Sequence, residues 1–275
     1  MAADIDRERV RDSFHRQAAD YDSHAVVQGR VVEKVIGLLQ AERVAPVRLL
    51  DIGAGTGRLL ARLTGLYPEM EAVGVDLAPG MCATAAGNLA GRRVRVMPAD
   101  AEALPFEADF FDVVVSTSTY QWLPCLDKAF GEALRVLDPG GVFCFALFGD
   151  KTLFELRDSY RSVLQGGDDR THSFFSCTEV LEALERAGFR GARVSSELEV
   201  ELHPDVPELL RSLKKIGAGS TAPASGKGLA ERRVMLDMMR SYREHFGGEA
   251  GIPATYEVVY GVVRKERQSD SDRSA

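Results

Sequence analysis

The sequence lacks the features that mark several large protein classes. Its four cysteines, Cys82, Cys125, Cys144 and Cys177, are far apart and form no C-x-x-C pair, so neither a zinc site nor a disulfide framework is indicated. No apolar run reaches membrane-spanning length, and the N-terminus is charged and polar, unlike a signal peptide. The 34 Lys and Arg are outnumbered by 41 Asp and Glu, and a net charge of -7 argues against bulk nucleic-acid binding. We therefore expect a cytoplasmic protein that binds no metal, membrane or nucleic acid.

The residues that are present fit one large α/β domain with an insertion. A chain of 275 residues with 45% hydrophobic content supports a substantial core. Short apolar runs alternate with helical patterns, which is typical of a mainly parallel sheet. The predicted organisation is an N-terminal helical lid at 1–43, a core at 44–202, a helical cap at 203–254, a final core strand at 255–265 and a disordered tail at 266–275.

The chain is organised around one glycine-rich loop. An apolar run ends in Asp51 and is followed by Gly53, Gly55 and Gly57, a pattern that predicts strand, loop and helix. The spacing differs from the dinucleotide fingerprint Gly-x-Gly-x-x-Gly, whose sixth position is Arg58 here. An acid beside the loop would repel a pyrophosphate and suits a ligand with an ammonium or sulfonium group. The loop favours S-adenosylmethionine over NAD, and a tight structural turn is the alternative.

Acidic residues also follow the next two predicted strands. Asp76 lies at the tip of the second strand, where a carboxylate can accept both ribose hydroxyls of an adenosyl ligand. Asp100 ends the third strand and could read the adenine edge together with the N–H of Ala101, although a helix N-cap is the alternative for Asp100 alone. Three acids at successive strand tips predict an adenosyl site. The predicted cofactor-binding residues are Asp51, Gly53, Gly55, Gly57, Asp76, Leu77, Asp100, Ala101 and Ser116.

Two aromatic segments lie outside the predicted core elements. Residues 14–24, which include Tyr21, mix aromatic and polar residues without the apolar run of a core helix, so they form either a lid over the ligand or a solvated helix edge. The loop after the fourth strand holds Tyr120, Gln121 and Trp122, and loops at this end of parallel strands hold the ligands of open α/β sheets. Trp122, the only tryptophan, is either a site residue or a core residue with its N–H satisfied.

An insertion separates the last two predicted strands and is far longer than a hairpin. Its pattern is two helices joined by a small, flexible loop. Residues 205–245 hold eight Lys or Arg and five Asp or Glu, a local charge of +3 that leaves -10 for the rest of the chain. A basic cap on an acidic protein predicts an anionic substrate or partner, and a solvated helix face is the alternative.

Taken together, these motifs resemble the class I S-adenosylmethionine-dependent methyltransferases. The resemblance covers about residues 44–148: the strand and glycine loop after Asp51, the acid Asp76, Ala-Asp-Ala at 99–101, and Leu-Arg-Val-Leu-Asp-Pro-Gly-Gly at 134–141. It implies a Rossmann-like α/β sheet of seven strands whose last strand is antiparallel. It also implies that the three acids lie, in chain order, at the methionine, ribose and adenine ends of the cofactor.

A narrower resemblance spans nearly the whole chain and is to the malonyl-acyl-carrier-protein O-methyltransferases of biotin synthesis. It is carried by residues 14–24, the Tyr-Gln-Trp loop at 120–122, Leu-Arg-Ser-Leu-Lys-Lys-Ile-Gly-Ala at 210–218 and Thr-Tyr-Glu-Val-Val-Tyr-Gly at 255–261. Lys215 and the longer polar loop after Gly217 depart from the family pattern, which bears on substrate and not on cofactor. The resemblance implies methyl transfer from S-adenosylmethionine to the free carboxylate of a malonyl thioester, with acyl carrier protein as partner.

Under that resemblance the predicted catalytic residues are Tyr21, Trp122 and Lys214, and the predicted substrate-binding residues are Tyr120, Gln121 and Arg211. We expect a monomer. The alternatives are a methyltransferase for another small carboxylate or for a quinone precursor, which would show an apolar cap, and a non-catalytic assembly factor that binds S-adenosylmethionine.

Overall fold

The computed structural model describes residues 5–164, 172–218 and 229–267. Most of the predicted tail and of the predicted flexible loop of the cap lies outside these residues. The helices are α1 (Arg7–Gln17), α2 (Tyr21–His24), α3 (Val26–Ala41), α4 (Arg58–Leu66), α5 (Pro79–Asn88), α6 (Leu126–Val136), α7 (Phe154–Leu164), α8 (Cys177–Ala187), α9 (Val206–Lys215) and α10 (Leu229–Phe246). The strands are β1 (Arg48–Ile52), β2 (Glu71–Asp76), β3 (Val94–Pro98), β4 (Phe111–Thr117), β5 (Leu137–Phe148), β6 (Arg193–His203) and β7 (Ile252–Arg264).

Seven strands form one sheet in the order β3-β2-β1-β4-β5-β7-β6. The first five strands along the chain pair in parallel, whereas β7 is antiparallel to both β5 and β6. This topology confirms the predicted Rossmann-like fold with an antiparallel last strand. Because the chain moves outward from β1 through β2 to β3 and then returns to place β4 on the other side of β1, the β1/β4 boundary is a switch point, where open α/β sheets bind ligands.

Apolar side chains cover both faces of the sheet. On one face α6 packs through Leu126, Ala129, Phe130 and Ala133, which recur at helical spacing and are all buried. The other face packs against α3, α4 and the cap helices. The central strands β1, β4, β5 and β7 are largely buried on both sides, and Leu49 and Leu50 of β1 are both 0% exposed. None of the helices in the described part of the chain combines the length and hydropathy needed to cross a bilayer.

The last two strands are longer than predicted at the cap. β6 runs to His203 and β7 begins at Ile252, so the helical insertion occupies 204–251 and the final strand starts before the predicted residue 255. Pro253 lies inside β7 although proline cannot donate to a sheet. It is tolerated because β5 pairs with β7 only from Val258 onward, so at Pro253 the strand has β6 as its single neighbour.

Candidate active site

A cavity of about 110 Å³ lies at the carboxyl ends of β1, β2 and β4, at the switch point of the sheet. Its walls include Gly53 and Gly55 of the glycine loop, Asp76 and Leu77 at the end of β2, and Ala101 after β3. The structure therefore brings together residues from three of the predicted strand tips. We call this space the cofactor cavity.

The glycine loop is tight because its backbone adopts conformations that other residues avoid. Gly53 has φ +75°, and a Cβ there would lie 2.0 Å from Oγ1 of Thr119. Gly57 has φ +85° at the start of α4, where a Cβ would lie 2.8 Å from Leu89. Both positions require glycine, because φ is positive and because a Cβ would clash with a neighbouring side chain. The absence of side chains also leaves the backbone of the loop open to a ligand. Gly57 serves the packing of α4 and does not line the cofactor cavity.

Asp76 fixes the loop and faces the cavity. Its Oδ2 accepts the N–H of Gly55 at 3.0 Å, and its Oδ1 accepts the N–H of Ala78 at 2.8 Å. Burial raises the pKa of Asp76, and these two hydrogen bonds oppose the rise. Each carboxylate oxygen can accept a second hydrogen bond. The side chain therefore has room for the two ribose hydroxyls that the sequence predicts.

Asp51 lies at the end of β1, directly before Ile52 and Gly53 of the cavity wall, and is 1% exposed. Neither of its carboxylate oxygens has a hydrogen-bond partner among the described residues. Burial first, and then the nearby charge of Asp76, raise the pKa of Asp51 to about 8. Without a ligand this carboxyl is largely protonated at pH 7. A buried acid without a donor is suited to a cationic ligand group, which would favour its ionised form.

Asp100 is held by the N-terminal helix, a contact that sequence reasoning missed. Nη2 of Arg7 donates to Oδ1 of Asp100 at 2.7 Å, and Nη1 of Arg7 donates to Glu102 at 2.5 Å. Burial alone would raise the pKa of Asp100, but the hydrogen bond from Arg7 and the N–H of Glu102 lower it. The second oxygen, Oδ2, accepts no hydrogen bond from the described residues. The predicted helix N-cap is not observed, since no described helix begins at Asp100.

The N-terminal segment lies over the cofactor cavity. Arg7, Val10, Arg11 and Phe14 of α1 and Tyr21 of α2 line it, which is the position of the predicted lid. His15 accepts the N–H of Gly80 through Nδ1 at 2.9 Å and so ties α1 to α5.

A second cavity, here called the substrate cavity, adjoins the first and shares Phe14, Tyr21, Ser118 and Trp122 with it. Its other walls are largely apolar and come from the core and from the cap, including Phe148, Phe174, Leu213 and Ile216. Its volume is about 20 Å³, which is space for one water molecule. A larger occupant therefore requires some of the surrounding side chains to move.

Trp122 and Gln121 bring unpaired polar atoms to this junction. The Nε1 of Trp122 and the Oε1 of Gln121 are shielded from solvent and have no partner among the described residues. The ring of Phe14 meets the indole edge-on, with 5.6 Å between ring centroids. Trp122 is therefore a wall of both cavities and not a core residue with a satisfied N–H.

Tyr120 and Ser116 lie in the core and line neither cavity. Tyr120 is 0% exposed and packs against Phe130, Phe143 and Phe145, so it lines neither cavity. Ser116 is buried within β4, and its hydroxyl donates to the carbonyl of Ile52 at 2.7 Å. The predicted contacts of these two residues with substrate and cofactor are corrected to roles in the core.

The two cap cations also stay outside both cavities. Lys214 and Arg211 are exposed on α9, and Arg211 pairs with Glu208 at 2.6 Å. The cap residues that line the substrate cavity are Leu213, Ile216 and Ala218, on another side of the helix and just beyond its end. The prediction that these cations hold the malonyl carboxylate is corrected accordingly.

Two further residues of the site carry no sequence signal that would have identified them. Ser118 has φ 55°, a conformation that non-glycine residues rarely adopt, and it lines both cavities. His172 binds the loop of Gln121 and Trp122 from a distant segment. Both residues lie in irregular structure, where hydrophobic periodicity cannot indicate which side chains face the site.

Comparison with known proteins supports these observations. The methyltransferase-domain family matches residues 50–145. A Geobacter sulfurreducens protein named malonyl-[acyl-carrier protein] O-methyltransferase is 57% identical over 95% of this chain and 100% of its own length. A Methylovorus protein of the same name is 38% identical over 96% of this chain and 92% of its own. This chain belongs to the malonyl-[acyl-carrier protein] O-methyltransferase family.

Solved structures agree on the fold. The YcgJ protein of Bacillus subtilis has a TM-score of 0.58 at 22% identity and covers 86% of this chain and 100% of its own. Phosphoethanolamine N-methyltransferase 2 of Haemonchus contortus, solved with S-adenosylhomocysteine, has a TM-score of 0.54 at 22% identity and covers 86% of this chain and 53% of its own. At such identities the likeness extends to the fold alone.

Proposed function

We propose that this protein transfers the methyl group of S-adenosylmethionine to the free carboxylate of a malonyl thioester carried by acyl carrier protein. The observation that carries the proposal is the shared wall of the two cavities. The cofactor cavity and the substrate cavity are separated by four shared residues, Phe14, Tyr21, Ser118 and Trp122. The acidic residues that suit S-adenosylmethionine lie on the cofactor side, and the substrate side is small and largely apolar. Such a wall is where a methyl donor and an acceptor would meet. We take the acceptor, malonyl-acyl carrier protein, from the names of the relatives.

The residues in and beside the cofactor cavity fit S-adenosylmethionine. Asp76 has two acceptor positions for the ribose, Oδ2 of Asp100 remains for the adenine amino group, and the unpaired oxygens of Asp51 suit the ammonium group. The cofactor supplies an electrophilic sulfonium methyl when bound. Arg7, through Asp100, closes the lid over the adenine end.

A malonyl carboxylate is ionised at neutral pH and needs no general base. The protein has to align the carboxylate, remove its water and hold it without a strong counter-charge that would weaken the nucleophile. No Lys, Arg, Asp or Glu side chain of the described residues lines the substrate cavity. Neutral donors, the N–H of Trp122 and the hydroxyl of Tyr21, are therefore the groups that we assign to the carboxylate. Burial raises the pKa of Tyr21 above its usual value, so the hydroxyl stays protonated and can donate a hydrogen bond.

The positive charge of the cap supports the proposal of an acidic macromolecular partner. Its described cations are exposed: Arg211, Lys214, Lys215, Arg232, Arg233, Arg240 and Arg243. They lie on a segment of net charge +3, while the rest of the chain carries -10. Acyl carrier proteins are typically acidic, so this surface would steer their encounter. Esterification removes the charge of the malonyl group, and the product would enter apolar elongation sites that reject a carboxylate.

One observation favours a second candidate. The side of the cap that lines the substrate cavity is apolar, through Leu213, Ile216 and Ala218, as a methyltransferase for a quinone precursor would show. That enzyme would need no basic outer surface and no carboxylate on its substrate.

Turnover measurements separate these functions. We expect formation of S-adenosylhomocysteine with malonyl-acyl carrier protein, slower turnover with malonyl-coenzyme A, and none with acetyl- or butyryl-acyl carrier protein. Turnover of the acetyl thioester at a rate near that of the malonyl thioester would refute carboxylate methylation. Turnover of a demethylated quinone precursor, with none on malonyl thioesters, would establish the second candidate. Product formation in any arm excludes the non-catalytic assembly factor.

A further inference from the structure

His172 is a buried histidine that contacts the active-site loop from outside both cavities. It is 7% exposed and lies five residues before α8. Its Nε2 lies 2.8 Å from the carbonyl oxygen of Gln121. Its ring packs on the indole of Trp122, with 5.1 Å between centroids, and meets the ring of Phe174 edge-on at 4.6 Å. One side chain thus touches three walls of the substrate cavity.

The turn that it contacts has little structure of its own. Residues 120–122 form a single turn of 3₁₀ helix, in which Trp122 N–H bonds to Thr119 and Leu123 N–H bonds to Tyr120. The side chain of Gln121 reaches back to the carbonyl of Ser118 at 2.7 Å. Isolated turns of this kind have poor hydrogen-bond geometry and need tertiary contacts to fix them. Within the described parts of the chain, His172 is the only distant residue that forms a hydrogen bond with this turn.

The chemistry of the contact fixes the tautomer of the histidine. A backbone carbonyl can only accept, so in the neutral ring the proton lies on Nε2. Burial lowers the pKa of His172, the bond to Gln121 opposes this, and the charge of Arg157 adds to the lowering. The imidazole is therefore neutral at neutral pH. Because an ionised carboxylate needs no base, a proton-transfer role is unnecessary here.

We propose that His172 is a positioning residue, which holds the Gln121–Trp122 turn by its Nε2–H and the indole by its ring, so that the indole N–H faces the malonyl group. The inference rests on the proposed function, because it assigns the orphaned donor of Trp122 to that substrate. It names a residue that acts through Trp122 and does not itself touch substrate.

The test separates the hydrogen bond of His172 from its ring. His172→Phe keeps the aromatic contact and removes the donor, His172→Gln keeps a donor and removes the ring, and His245→Phe is the control, since His245 is exposed on α10. We expect His172→Phe to lower kcat about tenfold or more, with KM and S-adenosylmethionine affinity within about threefold of wild type. His172→Gln should recover a large part of kcat, and His245→Phe should match wild type.

A second readout is independent of activity. Trp122 is the only tryptophan, so tryptophan fluorescence, excited at wavelengths that the seven tyrosines do not absorb, reports this site alone. Acrylamide quenching should increase in His172→Phe and stay unchanged in His245→Phe. Wild-type kcat and quenching in His172→Phe would overturn the proposal. So would loss of S-adenosylmethionine affinity in both His172 variants, which indicates a structural role only. If wild type methylates no malonyl thioester, the proposed function fails, and the quenching result still decides whether His172 positions the indole.

Discussion

Replacing Asp76 with asparagine tests the cofactor assignment with little change of shape. The carboxylate accepts two backbone N–H groups, from Gly55 and Ala78, and has one further acceptor position on each oxygen. In Asp76→Asn one oxygen becomes an NH₂ group, so one ribose hydroxyl loses its acceptor and the other keeps an uncharged one. Hydrogen bonds to charged groups contribute roughly 1.5–3 kcal/mol. We expect S-adenosylmethionine binding to weaken by about 2–4 kcal/mol, roughly 30- to 700-fold in Kd.

The same substitution should also reduce stability. The new NH₂ group faces a backbone N–H, and an unpaired buried donor costs about 1–3 kcal/mol. Asp112→Asn is the matched control, since Asp112 accepts the N–H groups of Val47 at 2.7 Å and Arg48 at 3.0 Å at the opposite end of the sheet. It should lose comparable stability and keep its affinity. Titration calorimetry with S-adenosylmethionine decides the matter: a folded Asp76→Asn protein whose Kd stays within threefold of wild type would show that Asp76 does not hold the ribose.

Three further predictions concern charge. The pKa of Asp51 is raised from 3.8 to about 8, so the folded ligand-free protein keeps a proton that the unfolded chain releases, and the free energy of unfolding should fall as pH rises through this window. Chemical denaturation should show a flatter pH dependence in Asp51→Asn, and an unchanged slope would contradict the assignment. On the cap, Arg232→Glu with Arg233→Glu should raise KM for malonyl-acyl carrier protein several-fold, with kcat intact and a weaker salt dependence. Lys214→Ala should leave kcat within twofold of wild type, and a large loss of kcat would return Lys214 to the site.

The parts of the site that the sequence predicts are those whose signal is local. Asp51, the glycines and Asp76 follow buried strands within a few residues, and strand pairing then places the tips at one edge of the sheet. The parts that it misses depend on contacts between distant segments. Arg7 meets Asp100 across 93 residues and His172 meets Gln121 across 51, and nothing near either residue in the chain indicates its partner.

The misplaced residues show a related limit. Tyr120 and Trp122 are two positions apart, yet one lies in the core and the other lines both cavities. A helix of three residues is too short for a periodic pattern to indicate which side faces the protein. On α9 the pattern is long enough, and its apolar positions Leu209 and Leu213 are the buried ones. The charge of Lys214 predicts a contact with the substrate, whereas the helical spacing places Lys214 on the exposed side.

In the proposed reaction the accepting atom is a carboxylate oxygen of the malonyl group. The most direct measurement is mass spectrometry of malonyl-acyl carrier protein after turnover with S-adenosylmethionine labelled in its methyl group. We predict one labelled methyl per carrier, lost as labelled methanol on mild alkaline hydrolysis, because an ester and not a carbon or sulfur bond was formed. A labelled methyl that survives hydrolysis, or a carrier left unlabelled while S-adenosylhomocysteine accumulates, would show that the malonyl carboxylate is not the acceptor.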